Sequence, residues 1–289
     1  MKSNGFHIPV LAASVALALS LSSAHAQYSP NFDTFDPYFT LSGQLAGAPV
    51  AEQWQTNDIS QSDYLGPIDG YRDPSNWALL GGLAVTTPKP YEVTASLWRN
   101  FTLPDASFAQ FNVDFAITAP TVGHPARDSF AWTFRTNSPT ESVPGTAIAG
   151  ISFKPTNVDT GKLDIYWTNF NGDETLTGWS VGYGAIYSLQ ANVFDLGGAS
   201  PYFTATLDPS GPDPKETIIS TALNVSTPSG VGEVAVSWTL SDTSGGAPYA
   251  NYGSNSILFQ NYSAIPEPST WVLFGVGAGA LALVRRRKK

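Results

Sequence analysis

Four oxygen-bearing side chains, Asn169, Asn171, Asp173 and Glu174, crowd the turn glycine Gly172. Oxygen ligands at alternate positions of one turn are how loops hold calcium, so these four are the candidate metal ligands and Ca2+ the one cofactor the chain suggests. The group lacks the glycine position and terminal glutamate of an EF-hand, and a solvated turn accounts for the same residues. Asp208, Asp213 and Glu216 form a second acidic group with the same two readings. Stacking is the other chemistry in view. Trp179 and Tyr183 share a two-residue phase through Val181, with glycines around them. Flat aromatic faces stack on the apolar faces of sugar rings, which makes this pair the candidate glycan-binding platform. Rings that cap or fill a β core would show the same pattern. Trp132, Trp167 and Trp238 lie in phase with apolar neighbours and are expected in a core.

Both ends of the chain read as export elements. Lys2 and His7 precede an apolar stretch from Ile8 to Leu21, and Ala24-His25-Ala26 is a small-x-small cleavage site. Residues 1–26 are therefore expected to be a secretory signal peptide, with Gln27 the first mature residue. At the other end stand Pro266-Glu267-Pro268-Ser269-Thr270, an uncharged apolar run from Trp271 to Val284, and then Arg285, Arg286, Arg287, Lys288 and Lys289. Two prolines two apart disfavour helix and sheet pairing, so an extended segment that a protease can reach is expected there. The apolar run is shorter than the ~20 residues of a comfortable membrane span. The cations directly behind it supply a cytoplasmic stop, which favours a single C-terminal transmembrane helix.

This tail resembles the PEP-CTERM sorting signal of Gram-negative, exopolysaccharide-producing bacteria. The resemblance rests on Pro266, Glu267, Pro268, Ser269, Thr270, the apolar stretch and the cluster Arg285, Arg286, Arg287. It implies export, transient inner-membrane anchoring, and hand-over to an exosortase-type membrane protease that cuts near Pro-Glu-Pro. It implies a cell-surface or extracellular destination. It says nothing about the activity of the body. The expected organisation is signal peptide 1–26, ectodomain 27–264 and sorting tail 265–289.

Composition narrows what the ectodomain can do. Of the 14 Lys and Arg, 8 remain once Lys2 and the terminal cations are set aside; of the 23 Asp and Glu, 22 remain without Glu267, so the body is near −14. Nucleic acid and anionic membranes would be repelled. Cysteine is absent, which removes thiol catalysis, disulfides and Cys-zinc sites. His124, between Gly123 and Pro125, is the one histidine of the mature body, so a multi-His metal site is excluded and a Ser-His-Asp triad has a single candidate base. No Gly-x-Ser-x-Gly, P-loop, His-Glu-x-x-His or Glu-x-Asp-x-x-Glu occurs, and no catalytic residue is assigned. Paired carboxylates are always available among so many acids, and only their separation tells.

The elements that must position these residues are strands. Phe111, Val113, Phe115 and Ile117 alternate with Asn112, Asp114 and Ala116; Phe130, Trp132 and Phe134, then Leu163, Ile165 and Trp167, then Val234, Val236, Trp238 and Leu240 repeat the pattern. Period two over such lengths marks strands with one buried and one wet face. Gly, Pro, Asn and Asp clusters separate them. The expected fold is all-β, an antiparallel jelly-roll-like β-sandwich of roughly ten to fourteen strands. Phe108 to Phe153 is loosely similar to the inner strands of concanavalin-like lectin and glucanase domains, with Arg127-Asp128-Ser129-Phe130 as the turn between strands. The segment 28–90 is less regular and reads as an N-terminal strand with long loops. The reading that follows is a non-enzymatic exported protein of the cell surface or matrix, associated with exopolysaccharide and biofilm. A glycan-binding module, and a glycoside hydrolase or lyase with an unrecognised carboxylate pair, are the alternatives.

Overall fold

The computed structural model describes residues 54–56, 71–72, 78–81, 93–100, 107–120, 128–137, 144–155, 161–209, 216–223, 230–241 and 255–266. The signal peptide with Ala24 and Ala26, His124, Asp213, and the tail from Glu267 through Pro268 to Arg285, Arg286 and Arg287 lie outside the described residues, as does the expected transmembrane run. Among the described residues no helix is long and apolar enough to cross a membrane.

The regular elements among those residues are all strands. They are β1 (Trp54–Thr56), β2 (Tyr71–Arg72), β3 (Ala78–Gly81), β4 (Val93–Asn100), β5 (Ala109–Ile117), β6 (Asp128–Arg135), β7 (Ala147–Pro155), β8 (Lys162–Thr168), β9 (Glu174–Gly182), β10 (Ile186–Phe194), β11 (Tyr202–Pro209), β12 (Glu216–Ala222), β13 (Glu233–Leu240) and β14 (Ser256–Pro266). They make two antiparallel sheets. Sheet I has the order β1-β4-β13-β6-β7-β8-β9, and sheet II the order β12-β11-β10-β5-β14-β3-β2. The expected β-sandwich is what the chain forms.

The alternation seen in the sequence sorts residues between core and exterior. On β5, Phe111, Val113 and Phe115 are buried while Gln110, Asn112 and Asp114 are half-buried. From sheet I, Phe130, Trp132, Phe134, Ile151, Phe153, Val234, Val236 and Trp238 meet them. The rings interlock at angles: Trp132 lies 5.7 Å from Phe111 and 5.3 Å, edge-on, from Phe259. Tilted and edge-to-face pairs of this kind add about 0.5–1.5 kcal/mol each beyond the area they bury. Trp54, set among polar residues in the sequence, is also core, 5.0 Å from Tyr262.

Two boundaries differ from expectation. Asp128 and Ser129 are not a turn but the start of β6, with Asp128 opposite Leu240. The Asp128 carboxylate is buried and accepts the Asn255 backbone N–H, which ties the entry of β14 to β6. Strand pairing also passes Ala264: Ile265 and Pro266 sit opposite Gln110 and Ala109. Proline lacks only the donor, so at the last position of a strand it removes at most one ladder bond and is tolerated.

Candidate functional site

The two outward faces of the sandwich are chemically unlike. On sheet I the residues pointing away from sheet II include Ser96, Trp98, Glu233, Ala235 and Ser237, and all are buried. Arg135 and Glu233 lie opposite one another there. Glu233 Oε1 accepts the Gly145 N–H at 2.6 Å, and Arg135 donates to the Gly145 carbonyl and to Thr133 Oγ1, both at 3.0 Å. Burial pushes the Arg135 guanidinium below its ordinary value, and the Glu233 charge pulls it back. This half of the face is a closed staple. The other half carries an ion pair, Lys154 Nζ to Glu174 Oε2 at 2.6 Å, with Lys154 6.0 Å from the Tyr166 ring.

The outward face of sheet II is largely half-buried, with Asn192 and Ser263 buried, and is mostly amide and hydroxyl with two carboxylates, Asp114 and Asp208. The register aligns three cross-strand rows. Asp208, Ser188, Asp114 and Gln260 form the first. Thr217, Thr206, Gln190, Asn112 and Ser263 form the second. Ser220, Thr204, Asn192, Gln110 and Ile265 form the third. Within a row neighbours stand ~4.8 Å apart, and rows are ~7 Å apart along the strands.

Hydrogen bonds hold this field in one arrangement. Ser188 donates to Asp114 Oδ1 at 2.5 Å and Asn261 Nδ2 to Asp114 Oδ2 at 2.7 Å. Gln110 donates to Asn112, and Asn112 to Ser263, each at 3.3 Å. Asn192 donates to Thr204 at 3.2 Å. Asn261 reaches Asp114 because the β14 register shifts between Gln260 and Ser263, and its φ is +52°. A bulge re-aims a side chain in this way, and asparagine tolerates the left-handed backbone.

Apolar residues bound the field. Phe194 and Tyr202 stand opposite each other at one end, each 37% exposed, with Phe108 4.9 Å from Phe194. Ile186, 40% exposed, stands opposite Ala116 at the other. The aromatic end can stack a sugar ring; the amides and hydroxyls both give and accept hydrogen bonds. Asn, Asp and Gly are depleted in strands, so amides in the central strands β5 and β10 run against local preference, and such violations gather at functional sites.

The residues singled out by sequence lie elsewhere. Trp179 is exposed on β9, but Val181 in the same phase is fully buried, and Tyr183 sits beyond the strand packed against the core. The pair does not present two exposed rings on one platform. Asn169, Asn171, Asp173 and Glu174 are together, but in a turn that uses their oxygens. Asn169 Oδ1 accepts the N–H groups of Asn171 and Asp173, Asn169 Nδ2 donates to Asp173, and Glu174 turns to Lys154 and Ser152. Among the described residues, no three His, Cys, Asp or Glu side chains converge as metal ligands. The sheet II field was missed, although Gln110, Asn112 and Asp114 at alternate positions of a strand were a usable signal.

No curated protein matches the chain. Among solved structures it is similar to the alginate lyase from Klebsiella pneumoniae (10% identity, 79% of this chain and 97% of that one, TM-score 0.48). It is also similar to the PL-14 alginate lyase from Aplysia kurodai (8% identity, 66% and 83%, TM-score 0.45). A third is lectin II from Ulex europaeus (10% identity, 73% and 97%, TM-score 0.41). At these scores the likeness assigns no residue a role. Residues 264–288 match the PEP-CTERM protein-sorting motif, so this chain is a β-sandwich body carrying a PEP-CTERM sorting tail.

Proposed function

We propose that the protein is sorted to the cell surface or extracellular matrix by its tail and there holds polysaccharide on the outward face of sheet II, without cleaving it. The observation that carries this reading is the set of three aligned amide-hydroxyl rows bounded by Phe194 and Tyr202. A surface built to be merely soluble would carry charges of both signs; this one spends its central positions on groups that match sugar hydroxyls. The test is retention of the mature protein on the host's exopolysaccharide. Asn112→Ala with Gln190→Ala should abolish it while lowering stability by only about 1–2 kcal/mol, the worth of the hydrogen bonds removed. Unchanged retention of a folded double variant would refute the assignment.

A hydrolytic reading has one observation in its favour. Asp114 and Asp208 flank Ser188 in one row, two strand spacings or ~10 Å apart, close to the wide limit for carboxylates that activate a water. Release of reducing ends by the wild type but not by Asp208→Asn would establish it.

Exosortase-type processing belongs to the same proposal. The matured protein should lack Arg285–Lys289 and still contain Pro266, the last residue of β14. Intact-mass measurement of extracellular protein decides this.

A further inference from the structure

We infer that the polymer held by sheet II is a neutral polysaccharide, lying across the strands, and not a uronate or sulfated one. This rests on the polysaccharide reading above and adds the chemical class. The rows contain two carboxylates, Asp114 and Asp208, and no Lys, Arg or His. An acidic polymer would bring a charge on every sugar, or every second one, against that face. Like charges repel, and a carboxylate or sulfate taken from water needs a cation or a cluster of donors to replace its hydration. Here several donors are engaged within the face: Ser188 and Asn261 both donate to Asp114, and Asn192 donates to Thr204. The body's charge near −14 adds a long-range barrier of the same sign.

A neutral hexose chain meets none of these penalties. Its hydroxyls are donors and acceptors at once, so they can donate to the amide oxygens of Gln110 and Asn112 and accept the second N–H of each amide, the first being engaged within the face. Direction follows from the boundaries. Phe194 and Tyr202 face each other on adjacent strands, so the aromatic strip runs parallel to the polar rows. A chain laid along a row keeps its ring faces against that strip and its hydroxyls over one kind of residue. A chain laid along a strand would pass from aromatic end to polar field to the Ile186 end, which no regular polymer matches. The five strands β12 to β14 span ~19 Å, so the face takes an internal segment of a polymer.

The experiment is affinity electrophoresis of the mature protein in native gels containing either a neutral glucan, mannan or galactan, or alginate, polygalacturonate or a sulfated galactan, with and without calcium. At least one neutral polymer should retard the protein several-fold, by an amount unchanged between low and physiological salt, and Asn112→Ala with Gln190→Ala should remove the retardation. No anionic polymer should retard it. Asp208→Lys should add a salt-sensitive retardation by the anionic polymers. Retardation by an anionic polymer that the double variant abolishes would overturn the neutral class and leave polysaccharide holding intact. No retardation by any polymer, the host's own included, would overturn both.

Discussion

Asn261 donates its side-chain amide to the Asp114 carboxylate across 147 residues of chain, at 2.7 Å, from a backbone held at φ +52°. One bulge on β14 thus fixes the acid at the centre of the polar field. Asn261→Ala loses the hydrogen bond and leaves a Cβ in a left-handed backbone; Asn261→Gly loses the bond alone. The glycine variant should be the more stable of the two by ~1 kcal/mol. Thermal unfolding compares them, and an alanine variant as stable as the glycine one would show that the bulge is unconstrained. Both should hold polysaccharide less well than wild type.

Trp179→Ala tests the platform that sequence suggested. The ring is 40% exposed at the edge of sheet I. Its loss should lower stability by under ~1 kcal/mol, against ~3–5 for a fully buried ring, and should leave retention on exopolysaccharide unchanged. Loss of retention with an intact fold would move the binding face to β9.

Glu233→Ala should be among the most damaging single changes. It removes the acceptor of the Gly145 N–H and a charge that faces the half-buried Arg135 guanidinium. Leaving a buried N–H without its acceptor typically costs about 1–3 kcal/mol. Urea unfolding measures it; a loss under ~1 kcal/mol would show that water replaces Glu233 at the Gly145 N–H.

Tyr262 sets an alkaline limit. Its ring is fully buried, and among the described residues its hydroxyl has no hydrogen-bond partner. Burial pushes the phenol well above its ordinary 10.0, and the nearby Arg99 charge only partly opposes this. The raised value means that the folded state keeps its proton where the unfolded state releases it. The stability is therefore whole below pH 10 and is lost as pH rises above it. The wild-type melting temperature should fall more steeply above pH 10 than that of Tyr262→Phe, which should be no less stable at pH 7. Parallel pH profiles would refute the assignment.

Asn169→Ala should lower the melting temperature by removing the acceptor for two backbone amides, at a cost of ~1–2 kcal/mol. Because those oxygens are engaged within the turn, calcium should stabilise wild type no more than sodium at equal ionic strength. A calcium-specific rise abolished by Asp173→Ala would restore the metal reading.

The core was legible because burial in a sandwich is a matter of phase. Phe111, Val113 and Phe115, or Val234, Val236 and Trp238, carry their own period and need no knowledge of partners. Trp98 was not legible: its phase puts it on the outward side of sheet I, yet it is fully buried. The turn at Asn169 gathers its oxygens locally, but which of them the backbone consumes is set by the turn's hydrogen bonds and not by residue type. The polar field was visible only in fragments. Its central strand β5 is flanked by β10 and β14, so Asp114 meets Ser188 across 74 residues and Asn261 across 147. No local pattern carries that adjacency.

Strand β14 lies between β5 and β3, and it ends at the first proline of the sorting motif. A polypeptide leaving the cell N-terminus first therefore delivers the middle of sheet II last. Until it does, β3 has β2 alone for a neighbour and β5 keeps an unpaired edge. Closing so long a loop is slow, and the open edge is a hazard for misassembly. The step that completes the sheet requires the chain to be out as far as Pro266, the moment at which the sorting motif itself arrives. One strand thus belongs both to the middle of sheet II and to the start of the sorting motif.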